Sequence, residues 1–338
     1  MATNPATPAT SAASFAAIIN PINKDRVQIF RSFPKTLTVG YEQRPISGPA
    51  GTYVTRGNAD PVKVPSAVLS APSSIVALQY DDTVNVFAVT AKEKLVSLVS
   101  PIVEPVAPAM KSNTGYIAGC TNGTNAWIYF QQVDENNKPV ISFSDVSDSD
   151  SNNETLPITN SILPNTWLGS FWDGERAWVI YQEATLGTAT TSRLQAYNTD
   201  AQTSSPVGKA VKDFIDHTPI GCSFVSADDI DKNTVLDFTP DALGRVFVYW
   251  VNDMNGKKIL YRAHSDIASG AIQAIFSDPV QVGSQAVGVQ ESAQISVLVD
   301  KNTQQNRVYI ARSGVGEKDK ISMQPDNFYY AKKKKDDK

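Results

Sequence analysis

The chain has 338 residues, a formal net charge of −4 at pH 7 and 41% hydrophobic residues, enough for a large buried core in one or two domains. The nearly balanced charge gives no basic footprint for a nucleic acid, and no run of about 18 apolar residues predicts a membrane span. Abundant Ser, Thr, Val, Gly and Pro without long helical periodicity favours an all-β protein.

The two ends of the chain differ from the rest in composition. Residues 1–14 are rich in Ala, Thr, Pro and Ser and predict a disordered lead-in, since they lack the basic start and apolar centre of a signal peptide. Residues 332–338 form a lysine-rich run, which predicts a charged, solvated tail. The folded part is therefore expected to be a single domain over residues 15–331.

A short run of β-branched and aromatic residues recurs along the chain, with the composition of a β-strand. Its six copies are R-V-Q-I-F-R from Arg26, V-N-V-F-A-V from Val84, A-W-I-Y-F-Q from Ala126, A-W-V-I-Y-Q from Ala177, R-V-F-V-Y-W from Arg245 and R-V-Y-I-A-R from Arg307. A strand with a small residue at a matched place precedes each copy: Ala17, Ala77, Gly119, Ser170, Cys222 and Ser296. Six copies of one strand unit predict a six-bladed β-propeller with the small residues nearest its axis.

The outer strands of the predicted blades are less regular. Residues 51–55 are expected to form the outer strand of blade 1, and residues 328–331 that of blade 6. An insertion over residues 227–242 is expected in blade 5. Because an open ring leaves an unpaired strand edge, the two ends of the domain are predicted to lie close together.

The cysteines are Cys120 and Cys222, which end two equivalent stretches. Buried free thiols are the ordinary state of such a pair, and a disulfide between them is the alternative. Sequons at Asn122 and Asn153 are glycosylation acceptors in secreted proteins. They indicate the secretory pathway or secretion.

The repeat resembles the fungal fucose-specific lectin family of six-bladed β-propellers, on its small-residue first strands and its R-V-Y-like second strands. The resemblance implies a sugar site made by an arginine that begins the second strand and a glutamate on the third. The arginine place is held by Arg26, Asn85, Trp127, Trp178, Phe247 and Arg307. The glutamate place falls near Val39, Ser97, Ser142, Ala196, Tyr261 and Met323. No blade keeps both groups, although a shift of the third strand would let Glu42 partner Arg26.

Common catalytic and metal-binding patterns are missing from the sequence. The only histidines are His217 and His264, and G-x-S-x-G, H-E-x-x-H, C-x-x-C and a phosphate-binding glycine loop do not occur. Nucleophilic triads and zinc sites need such groups, so we expect no cofactor. Glycosidase carboxylates stay open, because their partners need not be close in sequence.

Aromatic residues are the most distinctive feature of the second strands. Alternation places Trp127, Tyr129 and Gln131 on one strand face and Ile128 and Phe130 on the other. Most of these rings are expected to fill the space between blades, and a minority to line an apolar pocket. The exchange of arginine for tryptophan at residue 127 favours an apolar ligand over a repeated sugar site.

The chain also resembles the fungal hetero-Diels–Alderases of tropolone-sesquiterpenoid biosynthesis, by analogy of fold and not by a motif. This resemblance implies a cofactor-free [4+2] cycloaddition that joins an ortho-quinone methide to a terpene alkene such as humulene. The enzyme would supply proximity and a hydrogen bond to the carbonyl oxygen. The candidate donors are Arg307, Tyr309, Lys258, Tyr261, His264 and Arg26. The candidate pocket walls are Trp127, Trp172, Trp178, Phe247 and Trp250.

Two other functions remain open on the sequence. A carbohydrate-binding lectin without enzymatic activity would have glycans as partners instead of hydrophobic small molecules. A structural propeller would bind another protein on its ring surface and would have no well-formed apolar pocket.

Overall fold

The computed structural model describes residues 14–32, 39–46, 51–53, 69–91, 94–100, 104–106, 109–184, 193–208, 215–254, 256–283, 293–312 and 320–329. They form six antiparallel sheets in a ring, which confirms the predicted six-bladed β-propeller. The innermost strand of each sheet contacts the innermost strands of both neighbouring sheets, so the ring is closed. The predicted lead-in, apart from Ser14, and the predicted tail lie outside the described residues.

The first three blades follow one another in chain order. Blade 1 contains β1 (Phe15–Ile19), β2 (Arg26–Ser32) and β3 (Val39–Pro45). Blade 2 contains β5 (Ile75–Tyr80), β6 (Thr83–Val89), β7 (Val96–Ser100) and β8 (Glu104–Pro105). Blade 3 contains β9 (Ile117–Thr121), β10 (Ala126–Val133), β11 (Pro139–Asp145) and β12 (Glu154–Thr155).

The last three blades complete the ring, and the last one borrows a strand from the start of the chain. Blade 4 contains β13 (Gly169–Trp172), β14 (Ala177–Glu183), β15 (Arg193–Asn198) and β16 (Thr203–Pro206). Blade 5 contains β17 (Ile220–Ser226), β18 (Ala242–Met254), β19 (Lys257–Ala268) and β20 (Val280–Gln281). Blade 6 contains β21 (Ile295–Asp300), β22 (Gln305–Arg312), β23 (Lys320–Asn327) and the early strand β4 (Gly51–Tyr53).

The outer strand of blade 6 corrects two sequence expectations. β4 pairs with β23 through Tyr53 opposite Ile321 and does not complete blade 1, which has three strands among the described residues. Phe328 does not enter a strand: it is buried, its ring lies 5.8 Å from that of Phe247, and its carbonyl accepts from Arg245. Phe328 thus packs against blade 5. The strand β4 takes the place expected for Phe328 and covers the edge that β23 would otherwise expose.

Small residues on the innermost strands allow the blades to approach one another, as predicted. A Cβ on Gly119 would lie 2.9 Å from Val76 Cγ1 of blade 2, and one on Gly221 would lie 2.5 Å from Ile295 Cγ2 of blade 6. The Ser296 hydroxyl accepts a hydrogen bond of 2.9 Å from the backbone N–H of Ala17, which joins blades 6 and 1. The inner wall is therefore close-packed, and larger side chains would push the strands apart.

Each gap between neighbouring blades is filled by its own hydrophobic cluster. Strand alternation assigns the faces as expected, since Tyr129 packs toward blade 4 while Ile128 and Phe130 pack toward blade 2. The apolar side chains of one blade thus cover both neighbours, and the ring is one continuous structure.

The insertion of blade 5 is held to the sheet by a buried arginine. It contains a short 3-10 helix (Ala227–Asp229) and contributes Phe238 to the core between blades 5 and 6. Arg245 Nε lies 2.6 Å from Asp266 Oδ1, and its Nη1 lies 3.1 Å from Asp237 Oδ1. Arg245 therefore joins the insertion, the third strand and the end of blade 6.

Both cysteines are free thiols on innermost strands, Cys120 buried and Cys222 half-buried. Cys222 Sγ lies 3.1 Å from the carbonyl oxygen of Ser170. Burial raises the pKa of Cys222 to about 12 and raises the pKa of Cys120 still further. The structure thus supports the expected free thiols and not the alternative disulfide.

Candidate functional site between blades 3 and 4

The start of each second strand occupies a comparable place in the ring. Side chains at this place point toward the next blade in chain order, as shown by Trp178 in the core between blades 4 and 5 and Phe247 in the core between blades 5 and 6. This position lies at the contact between two blades, where a ligand can touch both. The exposure of this position to solvent depends on how far neighbouring segments of the chain cover it.

Between blades 3 and 4 this position is partly open to solvent. Trp127 is the second residue of β10 and Trp172 ends β13, and the two half-exposed indoles stack with ring centroids 5.2 Å apart and an interplanar angle of 15°. The pair rests on the buried cluster between the blades, with Cys120 opposite Trp127 in the strand ladder. The stack is thus held from below and presents aromatic surface outward.

A carboxylate stands beside the indole pair. Asp145, the last residue of β11, is directly opposite Trp127 in the ladder, so the two side chains share one face of the sheet. Its Oδ2 accepts 2.9 Å from Asn125 Nδ2, and its Oδ1 accepts from the backbone N–H of Ser147 at 2.9 Å and from the Ser147 hydroxyl. The carboxylate is therefore fixed by neutral donors.

The turn before β10 fixes the amide of Asn125. Asn122 Oδ1 accepts from the backbone N–H groups of Thr124 and Asn125 at 2.9 and 2.7 Å, and Thr121 Oγ1 donates to the carbonyl of Asn125 at 2.7 Å. Asn residues stabilise turns in this way. An ordered amide and carboxylate thus border the two indoles.

The electrostatic environment of this site is negative. Burial chiefly raises the pKa of Tyr129, Cys120 raises it next, and the charges of Asp200 and Asp145 add smaller contributions. Burial likewise raises the pKa of Tyr80, again with Asp145 adding to it. No ion pair between Asp145 and a lysine or arginine occurs within the described residues.

Asp145 was missed by the sequence comparison because the third-strand register was wrong. The residues opposite Trp127, Trp178, Phe247 and Arg307 are Asp145, Asn198, His264 and Pro325, two or three positions beyond those expected. Glu42 lies opposite Ile29 and pairs with Arg44 at 3.3 Å, whereas Arg26 lies opposite Pro45. Counting alternate residues along P-V-I-S-F-S-D would have placed Asp145 on the face of Ile141 and Phe143.

The equivalent position between blades 4 and 5 is sealed. Trp178 is completely buried, its Nε1 donates to Asp173 Oδ2 at 2.7 Å, and its ring stacks 5.9 Å from Phe171. Residues 269–279, which we term the strap, cross from blade 5 onto blade 4. Arg176 Nη1 and Asn198 Nδ2 donate to the carbonyl of Ala271 in the strap at 2.6 and 3.2 Å.

Between blades 5 and 6 the predicted residues are also enclosed. Phe247 is completely buried, and the Arg262 guanidinium lies 5.2 Å from its ring centroid. His264, opposite Phe247, is half-buried; burial, aided by Arg245 and Arg262, lowers its pKa to about 4. Trp250 and Tyr261 face blade 4 instead, where Trp250 is completely buried against Tyr261 at 6.3 Å.

The remaining predicted donors lie apart from the indole pair. Arg307 is buried and its Nη2 lies 2.8 Å from Asp300 Oδ2, while Tyr309 lies in the core between blades 6 and 1. Lys258 pairs with Asp253 at 2.9 Å beside the β18–β19 turn, and Arg26 is exposed at the start of β2. Of the eleven predicted residues, the structure brings together only Trp127 and Trp172 at an open position.

Within the described ranges, no group of three or more His, Cys, Asp and Glu side chains is arranged to hold a metal ion. No helix in this part of the chain is long and apolar enough to cross a membrane.

Comparison with solved structures places the fold among the fungal fucose lectins. The fucose-specific lectin from Aleuria aurantia superposes with a TM-score of 0.62 at 15% identity, over 95% of this chain and 97% of the lectin. An arginine-to-alanine triple mutant of AofleA from Arthrobotrys oligospora gives a TM-score of 0.59 at 14% identity, over 95% and 88% of the two chains. No family model matches the chain, and no curated protein matches its sequence.

The chain is therefore a six-bladed β-propeller with the fold of these lectins. The similarity covers nearly the whole of both proteins and confirms the predicted fold class. At these identities it establishes the fold, and the ligand must be argued from the site.

Proposed function

We propose that this protein binds carbohydrate at the interface between blades 3 and 4. The observation that carries the proposal is the half-exposed stack of Trp127 and Trp172 with Asp145 opposite Trp127. A pyranose ring has an apolar face of C–H groups and a rim of hydroxyls, so it needs an aromatic surface and ordered polar groups side by side. Both are present here.

The polar rim supports hydroxyl recognition. Asp145 Oδ1 accepts from both donors of Ser147, whereas Oδ2 accepts only from Asn125 among the described contacts and so has lone-pair capacity for a hydroxyl donor of the sugar. The Asn125 amide is already oriented by that contact, which lowers the entropy cost of binding. The Aleuria aurantia lectin, which shares the fold at 16% identity, has been solved in complex with α-methyl-L-fucoside.

The proposal is tested by applying the wild-type protein and Trp127→Ala to a glycan array that includes fucosides. We expect wild-type binding to at least one glycan class and a loss of at least tenfold in affinity, about 1.4 kcal/mol, for Trp127→Ala. Tyr41→Ala is the matched control, because Tyr41 contacts Phe30 at the same 5.2 Å centroid distance on blade 1. An array without wild-type binding, or equal losses in both variants, contradicts the proposal.

A cycloaddition is the second candidate function, and the same indole pair favours it. Stacked indoles offer an apolar surface for a terpene alkene, and the Asn125 amide is the neighbouring donor for the carbonyl oxygen of a quinone methide. Such a reaction joins the two reactants without loss of atoms and needs no acid–base pair. Its donor would thus be a residue outside the predicted set.

Incubation of the protein with a quinone-methide precursor and humulene tests this second candidate. We expect faster and more stereoselective product formation than in buffer, with the gain reduced in Trp127→Ala. Product formed at the buffer rate and without stereochemical preference excludes the cycloaddition while leaving carbohydrate binding intact.

A further inference from the structure

The charge around the indole pair narrows the class of ligand, an inference that rests on the proposed carbohydrate binding. Trp127 stands where the resemblance to the lectins implies an arginine, and its side chain brings no positive charge to the site. Asp145 keeps a carboxylate opposite Trp127, and all its described hydrogen-bond donors, on Asn125 and Ser147, are neutral. A cationic ligand would supply the opposite charge that no described residue places beside Asp145.

Both parts of the site attract a cation. An indole face binds an ammonium group within about 6 Å of the ring centroid, and a carboxylate forms charge-assisted hydrogen bonds with the same group. Trp127 and Asp145 lie on one sheet face as direct ladder partners, a separation of about 4.5–5.5 Å between Cβ atoms. One ammonium group can therefore contact both.

We propose that the site recognises a protonated amino sugar, a 2-amino-2-deoxy-pyranoside such as the units of a chitosan oligomer. The sugar ring packs on the exposed indole surface, and its ammonium group lies between the Trp127 ring and the Asp145 carboxylate. The net charge of −4 adds a weak long-range attraction for a cationic oligomer. N-acetylation removes the charge of the amine and with it the main contact.

Calorimetric titration of the full chain with a chitosan oligomer and with its fully N-acetylated counterpart tests the proposal. We expect at least tenfold tighter binding of the free-amine oligomer at low ionic strength, falling as salt is added. Asp145→Asn should remove this preference. Asp148→Asn is the matched control: it removes one charge from the same loop, where Asp148 is exposed and its carboxylate accepts only from the Asp150 N–H among the described contacts.

Further arms separate the possible failures. Spermine carries amines without a sugar ring, and equal binding of spermine overturns amino-sugar recognition. Equal binding of both oligomers that still depends on Trp127 overturns the amino-sugar proposal but supports carbohydrate binding, whereas no binding of any glycan overturns both. Thermal unfolding checks that each variant is folded, and Trp127→Phe, which keeps an aromatic face, should retain the preference at reduced affinity.

Discussion

The interfaces on the two sides of blade 4 both contain a tryptophan from the start of a second strand, but the two tryptophans differ in their exposure to solvent. Trp127 stacks on Trp172 and stays half-exposed, while Trp178 is completely buried. This difference in exposure is caused by the segment that connects the third and fourth strands of the following blade, because the tryptophan itself is the same in both places. In blade 5 the strap follows β19 and folds back onto blade 4. In blade 4 the corresponding connection between β15 and β16 is only a short turn.

The difference teaches that one repeated position can serve packing in one gap and recognition in another. At the sealed interface the polar atom of Trp178 already has a protein partner, since its Nε1 donates to Asp173. At the open interface Asp145 and Asn125 are oriented by each other and face the exposed end of the stack. Measurements on matched variants test whether Trp178 is a packing residue and Trp127 a recognition residue.

The largest expected effect is on stability at the sealed interface. Trp178→Ala should lower the free energy of unfolding by about 3–5 kcal/mol, because it empties a fully packed site, whereas Trp127→Ala should cost about 1–2 kcal/mol. Urea unfolding of both variants checks the difference. Equal losses would mean that the two tryptophans are packing residues of the same kind.

The acid sensitivity of the interface between blades 5 and 6 is the next effect. The pKa of His264 is lowered to about 4 by burial, Arg245 and Arg262, against about 6.5 in an unfolded chain. Between these pH values the unfolded chain binds a proton that the folded chain does not. The free energy of unfolding therefore decreases as the pH is lowered, and at pH 4 the loss relative to neutral pH is on the order of 3 kcal/mol. Above pH 6.5 this contribution is constant.

Urea unfolding at a series of pH values, for wild type and His264→Gln, isolates this contribution, since the other titrating groups are shared. The wild-type protein should lose more stability than the variant between pH 6.5 and 4. Parallel curves would show that His264 is not held in its neutral form by the fold.

Release of the strap should have a smaller effect. Arg176→Ala removes the donor to the carbonyl of Ala271 and should cost about 1–2 kcal/mol, with faster amide hydrogen exchange confined to residues 269–279. Lys301→Ala is the control, since Lys301 pairs with Asp229 on the surface and does not contact the strap. Unchanged exchange in Arg176→Ala would show that the apolar contacts alone hold the strap.

The smallest effect concerns the two thiols. Both should react slowly with iodoacetamide in the folded protein, because burial raises the pKa of each and the thiolate is the reactive form. Trp127→Ala should speed the reaction of Cys120 several-fold, since Cys120 lies opposite Trp127 in the ladder, and leave Cys222 unchanged. Mass spectrometry of the labelled peptides distinguishes the two, and equal acceleration of both would indicate general loosening of the ring.

The repeat and its consequences were determined by the sequence alone. Six strand runs, the small residues before them and the alternation of Trp127 with Ile128 predicted the blades, the inner wall and the packing faces, all of which the structure shows. These features depend on local strand composition and a period of two. They need no knowledge of which strands meet across the ring.

Only the tertiary structure decided the closure and the site. The pairing of β4 with blade 6, the register that sets Asp145 opposite Trp127 and the strap over Trp178 all join segments distant in the chain or depend on a register that one residue can shift. The physical reason is that composition fixes what a strand can bury. What it meets, and what stays open to solvent, depends on the length and path of the connections around it.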